Sequence, residues 1–161
     1  MSSIETQRLV VFHDFESSLP GQDFLKWPQH LTIVPFFTHE GIDRDDIVDF
    51  ITDTSQQVDT IIIEPFELVM YGLGNDRPAT KVRDTTGELM RLHNSLVNGL
   101  SRIGCTFESL DYSLDNYSPH VRQQSHNLLS PNPYTVDSVT IAAKLPKSVE
   151  RHKTIIDKIK L

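Results

Sequence analysis

Two short tripeptides carry the side chains best suited to chemistry, His-Leu-Thr at 30–32 and His-Val-Arg at 120–122, one in each half of the chain. Histidine titrates near pH ~6.5, so it can take up or release a proton close to neutral pH. A threonine hydroxyl or an arginine guanidinium two residues further on can hold an anion by hydrogen bonds. A lone His-x-Thr occurs often by chance in a chain with 7 histidines, so the tripeptides indicate a site only if the surrounding elements bring them together.

The first tripeptide lies in a segment that is predicted to be a β-strand. Residues 29–37 are rich in β-branched and aromatic side chains and follow Pro28. Because side chains alternate along a strand, His30 and Thr32 share one face, and Leu31 lies on the other. An imidazole and a hydroxyl are therefore expected side by side.

The second tripeptide lies in a short segment, 118–124, that also contains a proline directly before its histidine. If this segment is extended, His120, Arg122 and Gln124 share a face. The sequence thus predicts two strands, each presenting a histidine and a second polar side chain to one side.

The clearest helix runs from about Thr86 to Ile103. Its apolar residues recur at helical spacing and form one stripe, Leu89, Leu92, Leu96, Leu100 and Ile103. Thr85 and Glu88 have the spacing of a capping box, and Gly104 is placed to end the helix.

The remaining predicted elements complete an alternation of strands and helices. They are a strand at 8–15, a helix at 43–58, one kinked strand or a strand pair at 59–72, a loop at 72–80 before a short strand at 81–84, a loop or weak strand at 105–115, a strand at 134–146, and a helix at about 149–160 whose Ile155, Ile156 and Ile159 face inward. This order favours an α/β or α+β fold. The length of 161 residues fits a single domain over 1–161.

The composition is that of an ordinary globular protein, with 38% apolar and 23% charged residues. No stretch approaches the ~20 apolar residues that cross a bilayer, and the first residues lack the pattern of a signal peptide. The single Cys105 cannot form an internal disulfide, which agrees with a reducing compartment. We therefore expect a cytoplasmic protein without membrane partners, and we favour a monomer.

The formal net charge of -7 argues against a protein that coats nucleic acid by neutralising many phosphates. A small or terminal nucleotide target stays open. The C-terminal region is locally basic, and its charges, interpreted as a solvated helix face, are Lys147, Arg151, Lys153, Lys158 and Lys160.

Taken together, these segments resemble the 2H phosphoesterase superfamily, which includes bacterial 2'-5' RNA ligase-like proteins and cyclic phosphodiesterases. The signature of that superfamily is a pair of His-x-Thr/Ser tripeptides on central strands. The resemblance spans nearly the whole chain and is carried by WPQHLTIVPFF with the helix at 43–58, ELVMYGLGNDRPATKVRD, the helix at 86–103, SPHVRQQ and VDSVTIAAKL. One position departs from the pattern, because Arg122 stands where the second tripeptide carries Thr or Ser.

The resemblance implies a bilobal α/β (α+β) fold, with two pseudo-symmetric antiparallel-sheet lobes around a central cleft and helices outside. It implies that His30 and His120 flank one phosphate and act as general base and general acid, in an order left open, without a metal or other cofactor. Thr32 and Arg122 would hold the phosphate. The implied reaction is hydrolysis of a 2',3'-cyclic phosphate on a nucleotide or RNA end. The alternative is a non-catalytic protein that binds a phosphate or RNA end through a degenerate second tripeptide.

Weaker candidates for substrate contact are a lysine after the glycine-containing loop and three aromatic residues that could stack on a base. They are Lys81, Tyr71, Phe36 and Trp27.

Other site types are disfavoured. The chain has no HExxH or Cys-x-x-Cys pattern for a metal, no Gly-x-Ser-x-Gly pattern for a serine hydrolase, and no dinucleotide fingerprint at 72–74. We interpret Cys105 as a packing residue. The remaining histidines considered are interpreted as solvent or loop residues, namely His13, His39, His93 and His126.

Overall fold

Ten strands form one antiparallel sheet in the computed structural model, which describes residues 7–16, 19–24, 27–71, 74–75, 77–109, 113–122, 132–144 and 153–161. In chain order the elements are β1 (Arg8–Asp14), β2 (Asp23–Phe24), β3 (His30–Thr38), α1 (Arg44–Ser55), β4 (Ile61–Tyr71), β5 (Arg77–Asp84), α2 (Glu88–Ile103), β6 (Thr106–Phe107), a 3-10 helix (Leu114–Asn116), β7 (His120–Arg122), β8 (Tyr134–Val136), β9 (Ser138–Lys144) and β10 (Lys153–Lys160). The strand order is β2-β10-β9-β1-β3-β7-β5-β4-β8, and β6 pairs with β3.

The sheet has two halves that meet where β3 pairs with β7. At this seam Leu31 is the partner of Val121, and both side chains are buried. The strands that carry the two tripeptides are therefore neighbours at the centre of the sheet, one contributed by each half.

The main core lies on one face of the sheet, where α1 and α2 pack. Helix α2 buries the four leucines of the predicted stripe, whereas Ile103 at its end is 40% exposed. From β3, Leu31 and Ile33 are fully buried in the same core. Gly104 ends α2 with a φ of 111°, in the left-handed region that favours glycine. The helices predicted at 43–58 and 86–103 are confirmed, with the first ending at Ser55.

The start of α2 differs from the predicted capping box. The carboxylate of Asp84 accepts hydrogen bonds from the backbone N–H groups of Leu89 and Met90, at 3.3 and 2.9 Å. The Thr85 hydroxyl instead donates to the carbonyl of Ile62, and the Glu88 carboxylate accepts from the N–H of Asp59. Asp84, four positions before the helix, thus accepts from two backbone N–H groups in its first turn. The capping-box spacing of Thr85 and Glu88 does not predict this role of Asp84.

The predicted final helix is wrong, because Lys153–Lys160 is strand β10; residues 149–152 lie outside the described part. Ile155 packs on one face of the sheet beside Phe12, whereas Ile159 belongs to the main core on the other face. The register shifts between Ile155 and Asp157. Because β10 is buried on both faces and contains this register shift, its apolar residues Ile155, Ile156 and Ile159 have the spacing of a helix.

Three other segments are refined. The predicted strand at 134–146 is divided into β8, which pairs with β4, and β9, which pairs with β1 and β10. Of the two alternatives left open for 59–72, the single strand is observed, with a register shift between Pro65 and Glu67. The short strand predicted at 81–84 begins earlier, at Arg77.

No helix in the described residues is long and apolar enough to cross a membrane.

Candidate active site

The four polar residues of the two tripeptides project from the same face at the central seam. Because Leu31 and Val121 are partners and point into the core, the residues on either side of them point the opposite way. Continuing this register places His30 opposite Arg122 and Thr32 opposite His120. The two histidines are then diagonal neighbours, which lie about 7–8 Å apart in an antiparallel pair and somewhat closer at Cβ.

A cavity of about 320 Å³ occupies this position. Its lining contains all four predicted residues together with apolar and aromatic neighbours, namely Val10, Trp27, His30, Thr32, Pro35, Phe36, His120 and Arg122. An adjoining cavity of about 210 Å³ shares Thr32, Pro35 and His120. The structure thus brings together residues that are far apart in the sequence.

The ring of His30 is held by a backbone carbonyl and by aromatic neighbours. Its Nδ1 lies 2.8 Å from the carbonyl oxygen of Pro28. Since a carbonyl oxygen only accepts, Nδ1 carries the proton and Nε2 is the nitrogen left for a ligand. The rings of Trp27 and Phe12 lie 4.8 and 5.5 Å from the His30 ring.

His120 is held in the same way on the other strand. Its Nδ1 lies 3.0 Å from the carbonyl oxygen of Ser118, again two residues earlier in the chain. The ring of Tyr71 stacks on it at 4.6 Å with an interplanar angle of 29°. The two imidazoles therefore have equivalent backbone partners, and each has Nε2 as the nitrogen available to a ligand.

Burial lowers the pKa of His30 below its ordinary value. The positive charges of Arg122 and His120 lower it further, whereas the hydrogen bond to Pro28 and the carboxylate of Asp14 act in the opposite direction. His30 is consequently a neutral imidazole at neutral pH, with Nε2 able to accept a proton.

Strand β3, which carries His30 and Thr32, is held by hydrogen bonds from two residues that the sequence did not indicate. The Tyr117 hydroxyl donates to the backbone carbonyl of Thr32 at 2.7 Å, and His93 Nδ1 donates to the carbonyl of Ile33 at 2.6 Å. Their rings stack at 3.9 Å and are nearly parallel. Burial raises the pKa of Tyr117, with a further contribution from Asp84, so its hydroxyl stays a donor. No local sequence signal links these residues to β3.

Solved structures of known proteins share this arrangement of elements. The crystal structure of a phosphoesterase matches with a TM-score of 0.63 and 16% identity, covering 96% of this chain and 98% of that one. E. coli LigT complexed with 3'-AMP matches with a TM-score of 0.63 and 16% identity, over 98% and 99% of the two chains. LigT complexed with phosphate matches with a TM-score of 0.62 and 15% identity, over 98% of each chain.

The chain has the LigT fold. The likeness confirms the bilobal two-histidine phosphoesterase fold that the sequence resemblance implied. Scans against protein-family models and curated protein sequences found no match. The similarity is thus one of fold.

Within the LigT fold, the weaker candidates take different places. Trp27 and Phe36 line the main cavity. Tyr71 contacts His120 through its ring, and Lys81 is the β5 partner of His120 across the β5–β7 pairing. The first two therefore border the space for a ligand, while the other two adjoin the second histidine.

The interpretation of His13 and His93 as solvent or loop residues is wrong. His13 is buried on β1, with Nδ1 2.8 Å from the Ser138 carbonyl and Nε2 3.0 Å from the Tyr134 hydroxyl. His93 is buried on α2 and its Nε2 accepts from the N–H of Leu114 at 2.9 Å. Both are structural residues whose buried polar atoms are satisfied.

The remaining predicted residues lie apart from the cavity or outside the described part. His39 follows β3 and makes a hydrogen bond with the Ile42 carbonyl. Cys105 is buried, and burial raises the pKa of its thiol, which agrees with a packing role. His126, Gln124 and Gly72 lie outside the described residues. Among the described side chains, no group of three His, Cys, Asp or Glu residues is arranged to hold a metal ion.

Proposed function

We propose that this protein is a phosphodiesterase that hydrolyses a 2',3'-cyclic phosphate on a nucleotide or RNA end. The observation that carries the proposal is the pairing of two histidines across one cavity, each with Nδ1 held by a backbone carbonyl and Nε2 left for a ligand. The fold shared with LigT, whose crystal structures include complexes with 3'-AMP and with phosphate, supports the same assignment.

We assign the base role to His30, because its lowered pKa keeps it neutral at neutral pH. His30 Nε2 removes a proton from a water molecule as the water oxygen bonds to phosphorus. His120, entering protonated, donates its Nε2 proton to the ribose oxygen as the P–O bond of the cyclic ester breaks. Exchange of one proton with solvent restores both imidazoles, so the net change is the addition of one water.

Thr32 and Arg122 are assigned to the non-bridging phosphate oxygens. The Thr32 hydroxyl can donate one hydrogen bond, and the Arg122 guanidinium can donate two in a fork. Each lies directly across the β3–β7 seam from a histidine, so the four side chains surround the phosphate. Negative charge that develops on these oxygens is stabilised by the guanidinium.

We assign nucleoside contact to Trp27 and Phe36, which border the cavity beside His30. Tyr71 already stacks on His120 and is assigned to positioning that ring, with Lys81 on the neighbouring strand adding positive charge on the same side.

Hydrolysis of the four 2',3'-cyclic mononucleotides, followed by chromatography with a chelator present, tests the proposal. We expect His30→Ala and His120→Ala each to lower turnover by roughly 10²–10⁴-fold, because each removes one proton transfer. His39→Ala is the matched control, since His39 makes the same kind of Nδ1 bond to a backbone carbonyl but does not line the cavity. Full turnover in either cavity variant would remove that histidine from the mechanism.

A second candidate is a non-catalytic protein that binds a phosphate or RNA end. Arg122 favours it, because a guanidinium stands where the superfamily pattern has a hydroxyl. Such a protein would bind 3'-AMP and inorganic phosphate through the same four residues, show no turnover of any cyclic nucleotide or RNA end, and lose binding in Arg122→Ala.

A further inference from the structure

Three cations lie side by side across three neighbouring strands. Arg8 of β1 is the partner of Lys144 of β9, and Lys144 is the partner of Lys153 of β10. We call these three residues the cation row. Directly opposite side chains in an antiparallel sheet are about 4.5–5.5 Å apart at Cβ, and like charges in such positions are destabilising. The row concentrates positive charge at one end of these three strands.

The cation row lies on the same sheet face as the catalytic cavity. Each member stands two residues from a member of the apolar cluster on that face, whose buried residues are Val10, Phe12, Ala142 and Ile155. Val10 also lines the cavity beside His30. The row thus lies next to the apolar cluster, on the side of the sheet that holds the cavity.

Two aromatic rings connect the row to His30. The Phe36 ring lies under Arg8, 5.4 Å from the guanidinium carbon, and 5.8 Å from Lys144 Nζ. The Trp27 ring lies 5.0 Å from Lys153 Nζ and 4.8 Å from the His30 ring. A single indole therefore separates a cation of the row from the proposed catalytic base.

The side chains of the row are held in place. Lys153 is only 6% exposed, although lysine is among the residues least often buried. Arg8 is fixed by an ion pair of 2.7 Å with Glu108 and by its contact with Phe36. Ordered cations beside aromatic rings are the surroundings that a phosphate group and an adjoining nucleoside require.

We infer that the cation row is a second phosphate subsite, which holds a phosphate one nucleoside away from the reacting one. The inference rests on the proposed function for the first phosphate. It assigns the substrate class as a ligand with two phosphates, either an RNA end or a 5'-phosphorylated nucleotide, in preference to a bare cyclic mononucleotide. It also explains how a chain with a net charge of -7 accommodates such a ligand, since positive charge is concentrated where the ligand lies.

Equilibrium binding of uncleavable ligands tests the subsite. Adenosine 3',5'-bisphosphate and 3'-AMP are compared by calorimetry at several salt concentrations. We expect the bisphosphate to bind about tenfold more tightly, because it adds charge-assisted hydrogen bonds, and to show the steeper salt dependence. Lys144→Gln should bring the affinity ratio close to one, Lys144→Arg should retain it, and Arg102→Gln, an exposed charge at the end of α2, is the control that should not alter it.

A dinucleotide that ends in a 3'-phosphate distinguishes the two sources of the second phosphate. A gain in affinity for the dinucleotide alone identifies a phosphodiester, and an equal gain for the bisphosphate identifies any phosphate one nucleoside away. Wild-type protein that binds neither the bisphosphate nor the dinucleotide more tightly than 3'-AMP overturns the subsite. A gain in affinity that survives in both Lys144→Gln and Lys153→Gln, while each variant remains folded by circular dichroism, overturns it as well.

The binding experiment also separates this inference from the proposed reaction. If no cyclic phosphate is hydrolysed but the ratio depends on Lys144, the subsite stands and the hydrolysis proposal fails. If cyclic phosphates are hydrolysed and neither the bisphosphate nor the dinucleotide gains affinity over 3'-AMP, the subsite alone fails.

Discussion

At the scale of single residues, the site is defined by which nitrogen each histidine presents. In both tripeptides Nδ1 is taken by the carbonyl oxygen two residues earlier, at 2.8 Å for His30 and 3.0 Å for His120. This bond fixes the tautomer of a neutral ring and prevents its rotation. Because both imidazoles present Nε2 to the same cavity, their geometry does not distinguish the acid from the base, and the protonation state of each ring does. The lowered pKa of His30 favours His30 as the base.

Arg122 should affect both phosphate binding and the pH dependence of turnover. Arg122→Thr restores the hydroxyl of the superfamily pattern and removes a positive charge that contributes to the lowered pKa of His30. We expect weaker binding of 3'-AMP, by about tenfold, because hydrogen bonds from a charged donor are lost. We also expect the acidic limb of the pH–rate profile for kcat/KM to move to higher pH. Calorimetry and steady-state kinetics measure the two effects.

Arg83→Thr is the control, since Arg83 is an exposed arginine on β5 that contacts Phe66 instead of the cavity. An acidic limb that stays in place in Arg122→Thr would contradict the electrostatic contact between Arg122 and His30. Unchanged binding of 3'-AMP would remove Arg122 from the phosphate site.

At the scale of elements, the sequence predicts those strands and helices whose pattern is local. Helix α2 and strand β3 follow from their apolar periodicity, and the alternation along β3 places His30 and Thr32 on one face, as observed. Strand β10 is mistaken for a helix because its apolar residues serve two different faces of the sheet. That difference depends on neighbouring strands, which single-sequence periodicity does not contain.

The candidate site follows the same rule. Its four polar residues could be proposed from two tripeptides, but their register across the seam could not, because it depends on pairing between residues from opposite halves of the chain. The supports from Tyr117 and His93 were missed for the same reason, since both reach β3 from distant segments.

The support of β3 gives a prediction at the scale of elements. Tyr117→Phe leaves the Thr32 carbonyl without its 2.7 Å donor, which we expect to reduce the free energy of unfolding by about 1 kcal/mol or more. Because Thr32 lies on the loosened strand, the affinity for inorganic phosphate should also fall. Tyr117 is therefore a positioning residue, and denaturant unfolding and calorimetry measure its two effects.

Tyr134→Phe is the matched control. It removes a hydroxyl that lies 3.0 Å from His13 Nε2, and Tyr134 does not line the cavity. We expect a comparable loss of stability with no change in phosphate affinity. Equal losses of affinity in the two variants would show that Tyr117 acts only through general stability.

At the scale of the whole molecule, charge is distributed unevenly. The chain carries a net charge of -7, yet Arg122 and the cation row place positive charge on the face that holds the cavity. Asp14 of β1, the partner of His30, is the nearby carboxylate that moderates this field. An acidic body with a cationic cleft repels nucleic acid in general and favours a phosphate that enters the cleft.

Buried histidines also couple the stability of the whole molecule to pH. Burial lowers the pKa of His13, His30 and His93 below the ordinary value of 6.5. As the pH falls below about 6.5, these histidines take up protons in the unfolded chain before they do so in the folded protein. The free energy of unfolding is therefore highest above this pH and decreases until the pH reaches the lower pKa values of the folded state. The slope should approach about 1.4 kcal/mol per pH unit for each histidine involved.

Urea unfolding between pH 7.5 and 5 measures this slope, in a range above the ordinary titration of carboxylates near ~4. His30→Asn should reduce the slope by about 1.4 kcal/mol per pH unit, because the cavity then holds a residue that does not titrate. A free energy of unfolding that stays constant over this range would mean that the three rings can take up protons in the folded protein. In that case the assignment of His30 as the neutral base would have to be withdrawn.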